Sequence, residues 1–174
     1  MYRAEVNIED CRYVLDNLRE EDKAEVLATR GENWKEDILN DLQNSNYPFL
    51  LAKTKQNDIP VLICGAWAAD MNNPSVGIVW LLATPEIKKH QISFLKEMKK
   101  EIKKYDEQFG ILYNQIYKTN FLAKQWLKWA GFRFPLTEKK LTPLDRIFSK
   151  IKVEENFEIF YREREVKGLG KNNV

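Results

Sequence analysis

The chain has 174 residues, 44 % of them hydrophobic, 31 % charged and 12 % aromatic, with a formal net charge of +2. That length suits one domain with a single core, and the composition excludes wholesale disorder. No apolar run approaches the roughly 20 residues that cross a bilayer, so no membrane association is expected. The N-terminus carries Glu5, Glu9 and Asp10 in place of a basic cap and apolar stretch, so no signal peptide is expected. Cys11 and Cys64 make no disulfide framework and read as small buried residues of a cytosolic-type protein. Residues 1–58 hold 8 basic against 13 acidic residues, and residues 59–174 hold 20 against 13. Because bases and acids interleave, nucleic acid is not indicated as a partner.

In chain order, residues 2–7 suit a short first strand. Residues 8–18, 20–29 and 34–42 follow with apolar side chains at helical spacing and acids in their first turns. The period then changes. Residues 48–53 and 60–69 read as strands around the turn-forming Gln56-Asn57-Asp58, and Asn72-Asn73-Pro74 marks the next turn. Residues 76–83 (VGIVWLLA) are the richest in aliphatics and belong at the sheet's centre. Thr84-Pro85 opens a long helix to about Gln108, with Ile92, Leu95, Met98 and Ile102 as its inward face. Residues 110–116 read as a strand. A helix over 120–130 turns Phe121, Trp126, Leu127 and Ala130 inward and stops at Gly131. Residues 132–134 and 157–161 close the sheet. The expected organisation is a single domain over 1–166 with a polar tail at 167–174, and no internal repeat.

This order predicts an α+β fold with a mixed, mostly antiparallel sheet of six or seven strands flanked by helices. The sheet is expected to part near residues 76–83 and 110–116, and the crevice at those strand ends is the expected ligand site. His90 is the sole histidine, so a multi-histidine metal site is excluded and no metal is expected. It reads as a solvated residue or a phosphate contact. The lysines at 88, 89, 96, 99, 100, 103 and 104 read as a solvated helix face, or as a patch for an acidic partner or nucleic acid. The five tryptophans read as core, or as the lining of a groove for a peptide. Arg162-Glu163-Arg164-Glu165 reads as an exposed strand end.

Asn120-Phe-Leu-Ala123-Lys-Gln-Trp126-Leu127-Lys-Trp129-Ala-Gly131-Phe132 resembles the late motif of the GNAT acetyltransferases, in which an Asn opens a helix and a Gly-Phe pair closes it. The resemblance implies that fold, with acetyl-CoA held by backbone N–H groups of a glycine-rich turn after the central strand. Its counterpart here is Thr84-Pro-Glu-Ile-Lys88-Lys89-His-Gln91-Ile-Ser93. Thr84, Lys88, Lys89, Gln91, Ser93 and Asn120 are the residues the resemblance assigns to the cofactor. Lys89, Gln91 and Ser93 stand where the family carries small residues, and are expected to project where phosphate oxygens would pack. Leu127 stands where many members carry a proton-donating Tyr. Catalytic residues are not assigned; Asp70, at the end of the preceding strand, is the one nearby acid to propose as a base, and reads first as a structural surface turn residue.

A wider pattern is similar to GNAT-like proteins of short-tailed bacteriophages, an internal virion protein among them. It comprises Gly77–Thr84, Phe94-Leu95, Leu112-Tyr-Asn114 and Asn120–Phe132, with Leu18–Glu25 and Pro60–Gly65 upstream. It implies a degenerate acyl-CoA cleft and a structural or interaction role with virion or assembly proteins, in the host cytoplasm or the virion. The alternative is an active N-acetyltransferase using acetyl-CoA on an unknown amine.

Overall fold

The computed structural model describes residues 1–70, 73–137 and 140–164; the expected tail at 167–174 lies outside them. The elements follow the order β1 (Tyr2–Ala4), α1 (Ile8–Asp16), α2 (Glu20–Arg30), α3 (Trp34–Asn44), β2 (Phe49–Lys53), β3 (Pro60–Asp70) and β4 (Asn73–Ala83). A 3-10 turn (Pro85–Lys89), α4 (Gln91–Gln108), β5 (Ile111–Tyr117) and α5 (Phe121–Trp129) follow. A second 3-10 turn (Pro135–Thr137), α6 (Pro143–Phe148) and β6 (Phe157–Glu163) complete the order. The six strands form one sheet in sequence order, antiparallel except for β4 beside β5. This is the α+β architecture the periodicity predicts.

Each face of the sheet carries helices because the strands alternate their apolar side chains. On one face Leu51 and Ile63 pack with Cys11, Val14, Leu15, Trp34, Ile38 and Leu42 of α1 and α3. On the other, Leu50, Leu62 and Cys64 pack with Ile87 and with Phe94 and Met98 of α4. Both cysteines are buried.

Four expectations are corrected. The helix after Thr84 is broken: a 3-10 turn ends at Lys89, His90 takes φ −121° and ψ 25°, and α4 begins at Gln91. Its inward face is Phe94, Met98, Glu101 and Tyr105, while Ile92 is 74 % exposed. Glu101 tolerates that face because Arg3 (3.0 Å) and Lys104 (2.5 Å) pair with it. Phe121 likewise points outward at the first position of α5. The strand expected at 132–134 contracts to one bridge, Arg133 to Tyr161, between Gly131 at φ +84° and Pro135. Finally, α6 is absent from the sequence reading. Thr142 caps it in a reciprocal box with Asp145, and Phe148 stacks on Tyr161 with ring centroids 4.5 Å apart.

Candidate functional site

The central feature is a split in the sheet. β4 and β5 pair only over Val76–Ile78 and Ile111–Tyr113, so their C-terminal halves diverge, as the sequence order predicts. Thr84 N–H donates to Val61 O (2.8 Å), which sets the even-numbered groups of β4 toward β3. Val79, Leu81 and Ala83 therefore present their backbone groups to the gap. Two of those three positions are taken by the chain itself. Asn114 Nδ2 donates to Val79 O (2.8 Å). Ala83 N–H donates to Asp22 Oδ2 (2.8 Å), and Ala83 O accepts from Arg19 N–H (2.9 Å).

Arg19 and Asp22 form a buried pair at the junction of α1 and α2, with Arg19 Nε donating to Asp22 Oδ2 at 3.1 Å. Burial pushes the Asp22 carboxyl up, and the Arg19 charge opposes it. The Arg19 guanidinium lies 5.6 Å over the Trp126 ring, which sits 4.6 Å from the Phe94 ring of α4. These contacts link the α1–α2 junction, beside Ala83, to α5 and α4. On the α4–α5 side they leave an apolar cavity of about 110 Å³, bounded by Leu81, Phe94, Met98, Trp126 and Leu127. Ligand clefts typically reach roughly 300–1,000 Å³.

On the opposite face, a cleft of about 380 Å³ lies between α2–α3 and the split, with Trp67, Trp80, Asn114, Gln115 and Glu25 among its walls. Trp80 and Leu81 border both cavities. Glu25 Oε1 accepts from Asn120 Nδ2 (2.9 Å) and Tyr117 N–H (3.3 Å). Burial dominates its environment, outweighing these donors, and pushes its carboxyl from 4.5 to about 7. Sequence reasoning assigned Glu25 no role; its one local signal is the helical spacing that sets it beside buried Val26 and three residues after Asp22.

The residues singled out in the sequence fall into two groups. Thr84, Lys88, Lys89, Gln91 and Ser93 gather where β4 hands over to α4. Thr84 is buried with its Oγ1 unpaired. Lys88 Nζ is 3.9 Å from Glu21, and Lys89 is held by Glu86 (2.8 Å). Gln91 and Ser93 do not project outward: each side chain folds onto a nearby carbonyl, that of Lys88 (3.1 Å) and of His90 (3.0 Å) respectively. Ser93 Oγ also accepts from the N-terminal ammonium at 3.3 Å. His90 caps nothing with its side chain and lies 3.5 Å from Glu86.

Asn120 stands apart, at the start of α5. Its Oδ1 accepts from Ala123 N–H (3.3 Å) while its Nδ2 holds Glu25, so both ends of the amide are engaged. Asp70 sits at the β3–β4 turn, as its reading as a surface turn residue expects, paired in register with Asn73 at the end of β4 remote from the gap. Leu127 is partly buried among the apolar residues of α5 and has no proton to give. Among the described residues no cluster of His, Cys, Asp or Glu is arranged to hold a metal ion, and no helix is long and apolar enough to cross a membrane.

No protein-family model matches the chain, and no curated protein matches its sequence. Solved structures do match. A ribosomal-protein-alanine N-acetyltransferase from Brucella melitensis superposes with a TM-score of 0.63 at 10 % identity, covering 94 % of this chain and 99 % of that one. An acetyltransferase of the GNAT family from Streptococcus pneumoniae gives 0.59 at 14 % identity over 94 % and 99 %. The yncA protein of Salmonella typhimurium, solved with its cofactor acetyl-CoA, gives 0.61 at 12 % identity over 99 % of both chains. At these identities the likeness is one of fold: the chain has the GNAT acetyltransferase fold.

Proposed function

We propose that this protein is a GNAT scaffold whose acyl-CoA cleft is closed by its own side chains, and that it acts by binding protein partners. The observation that carries this reading is the Arg19–Asp22 pair seated on Ala83. A thin thioester arm entering the split needs the backbone groups of β4, and those of Ala83 are already paired. It also needs the space that the Arg19–Trp126–Phe94 stack fills. The amides of the first turn of α4 remain an anion-attracting end, with Lys88 beside them. The residues present therefore fit the phosphate end of acetyl-CoA and do not fit its thiol end. The similarity of residues 77–84 and 120–132 to GNAT-like proteins of short-tailed phages supports placing this binding role in phage assembly or the virion.

Glu25 favours a second reading, acetyl transfer to an amine. A carboxyl at about 7 in a cleft beside the split holds or takes a proton near neutrality. That reading requires Arg19 and Trp126 to vacate the gap.

Thermal melts with acetyl-CoA and CoA separate the two. A ligand present at 100 times its Kd stabilises by about 2.7 kcal/mol, which for a chain of this size raises Tm by roughly 5–10 °C. The closed cleft predicts no shift at millimolar ligand; a shift of that size supports the second reading.

A further inference from the structure

A third cavity, away from the split, belongs to neither reading of the cleft. It is an open groove of about 1040 Å³ between the C-terminal half of α4 and the corner where α5 ends and β6 leaves the sheet. We propose that this groove docks an acidic peptide segment of a protein partner. The inference gives the binding role above a surface and rests on that role.

The lysines of α4 fall into two sets. Lys100 and Lys104 are neutralised along the helix by Glu97 (2.7 Å) and Glu101 (2.5 Å). Lys99 and Lys103, one turn apart, line the groove, and neither makes an ion pair among the described residues. On the opposite wall Arg164 is unpaired in the same way; its backbone N–H alone is engaged, with Gly110 O (2.9 Å). Three cations thus converge on one trough with no ion-pair partner among the described residues.

Arg162 is different, and its difference shapes the groove. Its Nε and Nη2 donate to Asp106 (3.2 and 2.9 Å) and its Nη1 to Ala130 O (2.8 Å). It crosses Gly131 so closely that a Cβ there would lie 2.2 Å from Nη1. Asp106 is consumed by this pair, which leaves Glu107 as the one uncompensated acid of the lining. Trp129, the last residue of α5, stands 54 % exposed on the rim. Free cations beside an exposed indole suit a chain of carboxylates interspersed with apolar side chains.

Charge complementarity commits the site to an acidic peptide. Glu107 opposes the continuous charge of a phosphate backbone, and a peptide can place an apolar residue there. The chain's own residues 165–174 are no match, since they carry Lys167 and Lys171 against Glu165. The groove lies at the C-terminal end of α4, and the anion-attracting end of the cleft at its N-terminal end.

The test is fluorescence anisotropy on the full chain, with a fluorescein-labelled peptide of alternating Glu and Leu and, in parallel, fluorescein-labelled dodecathymidylate. The Glu-Leu peptide is expected to bind at low salt and weaken as salt rises. The double variant Lys99→Glu/Lys103→Glu, at exposed helical positions, is expected to lose about tenfold in affinity. Trp129→Ala is expected to weaken binding several-fold, and Lys55→Glu, in the β2–β3 turn, to leave it unchanged. No binding up to millimolar protein, or equal binding by the double variant, overturns the proposal. Tighter binding of dodecathymidylate with the same dependence on Lys99 and Lys103 overturns it in favour of nucleic acid. A null result here leaves the closed cleft standing, because the acetyl-CoA experiments test that separately.

Discussion

Arg19 and Asp22 are each nearly inaccessible to water, and neither is tolerable there without the other. Replacing one leaves an uncompensated buried charge, which costs about 3–5 kcal/mol. Asp22→Ala is therefore expected to lower the urea midpoint far more than Asp37→Ala at an exposed position of α3. Glu25 makes a different prediction, in pH. Its folded pKa, about 7, lies above its ordinary 4.5, so the folded state binds more protons than the unfolded state between those values. Stability contributed by this group is full below about pH 4.5, falls as pH rises toward 7, and is flat beyond. Glu25→Gln keeps an oxygen for Asn120 and removes the proton, so its unfolding free energy is expected to lack that decline in urea titrations across pH 4.5–8. An identical pH dependence in variant and parent would contradict the assignment. Neither Glu25 nor the role of Arg19 was legible in the sequence, because each acquires its meaning from a distant partner. Glu25 meets Asn120 across 95 residues, and Arg19 meets Trp126 through the fold.

At the scale of elements, the strands were legible wherever the period was regular. The aliphatic run at 76–83 is central, and the split beside it follows from a parallel neighbour reached through a long helix. Helix faces were less legible. Ile92 and Phe121 continue the apolar spacing of their helices but stand in the first turns, where the chain has not yet reached its packing partners. α6 escaped notice because a six-residue helix has little periodicity; its cap and its ring stack on Tyr161 hold it. The strand expected at 132–134 is confined to the Arg133 bridge between Gly131, whose positive φ disfavours any side chain, and Pro135. Gly131→Ala is expected to cost about 1–2 kcal/mol from backbone strain. It would also displace Arg162 from Ala130 O and Asp106. Thermal denaturation, with the Glu-Leu peptide titration, reads both effects.

At the scale of the molecule, the chain keeps the GNAT architecture and changes what fills it. The split, the helix start with its basic residues and a cleft between α2–α3 and the split are all in place. A stack links the α1–α2 junction to α5 and α4, while free cations and an exposed indole line a groove at the far end of α4. The closed cleft we propose rests on residues other than Lys89, Gln91 and Ser93, where the sequence departs from the family pattern. Gln91 and Ser93 bond nearby carbonyls and Lys89 pairs with Glu86, whereas Arg19, Asp22 and Trp126 are the residues the proposal sets across the gap. Calorimetric titration of the intact protein with acetyl-CoA at low salt tests this most directly. The closed cleft predicts no saturable heat up to millimolar ligand. A micromolar Kd, about −8 kcal/mol, would contradict it, and would make Glu25 the first residue to replace in a search for acyl transfer.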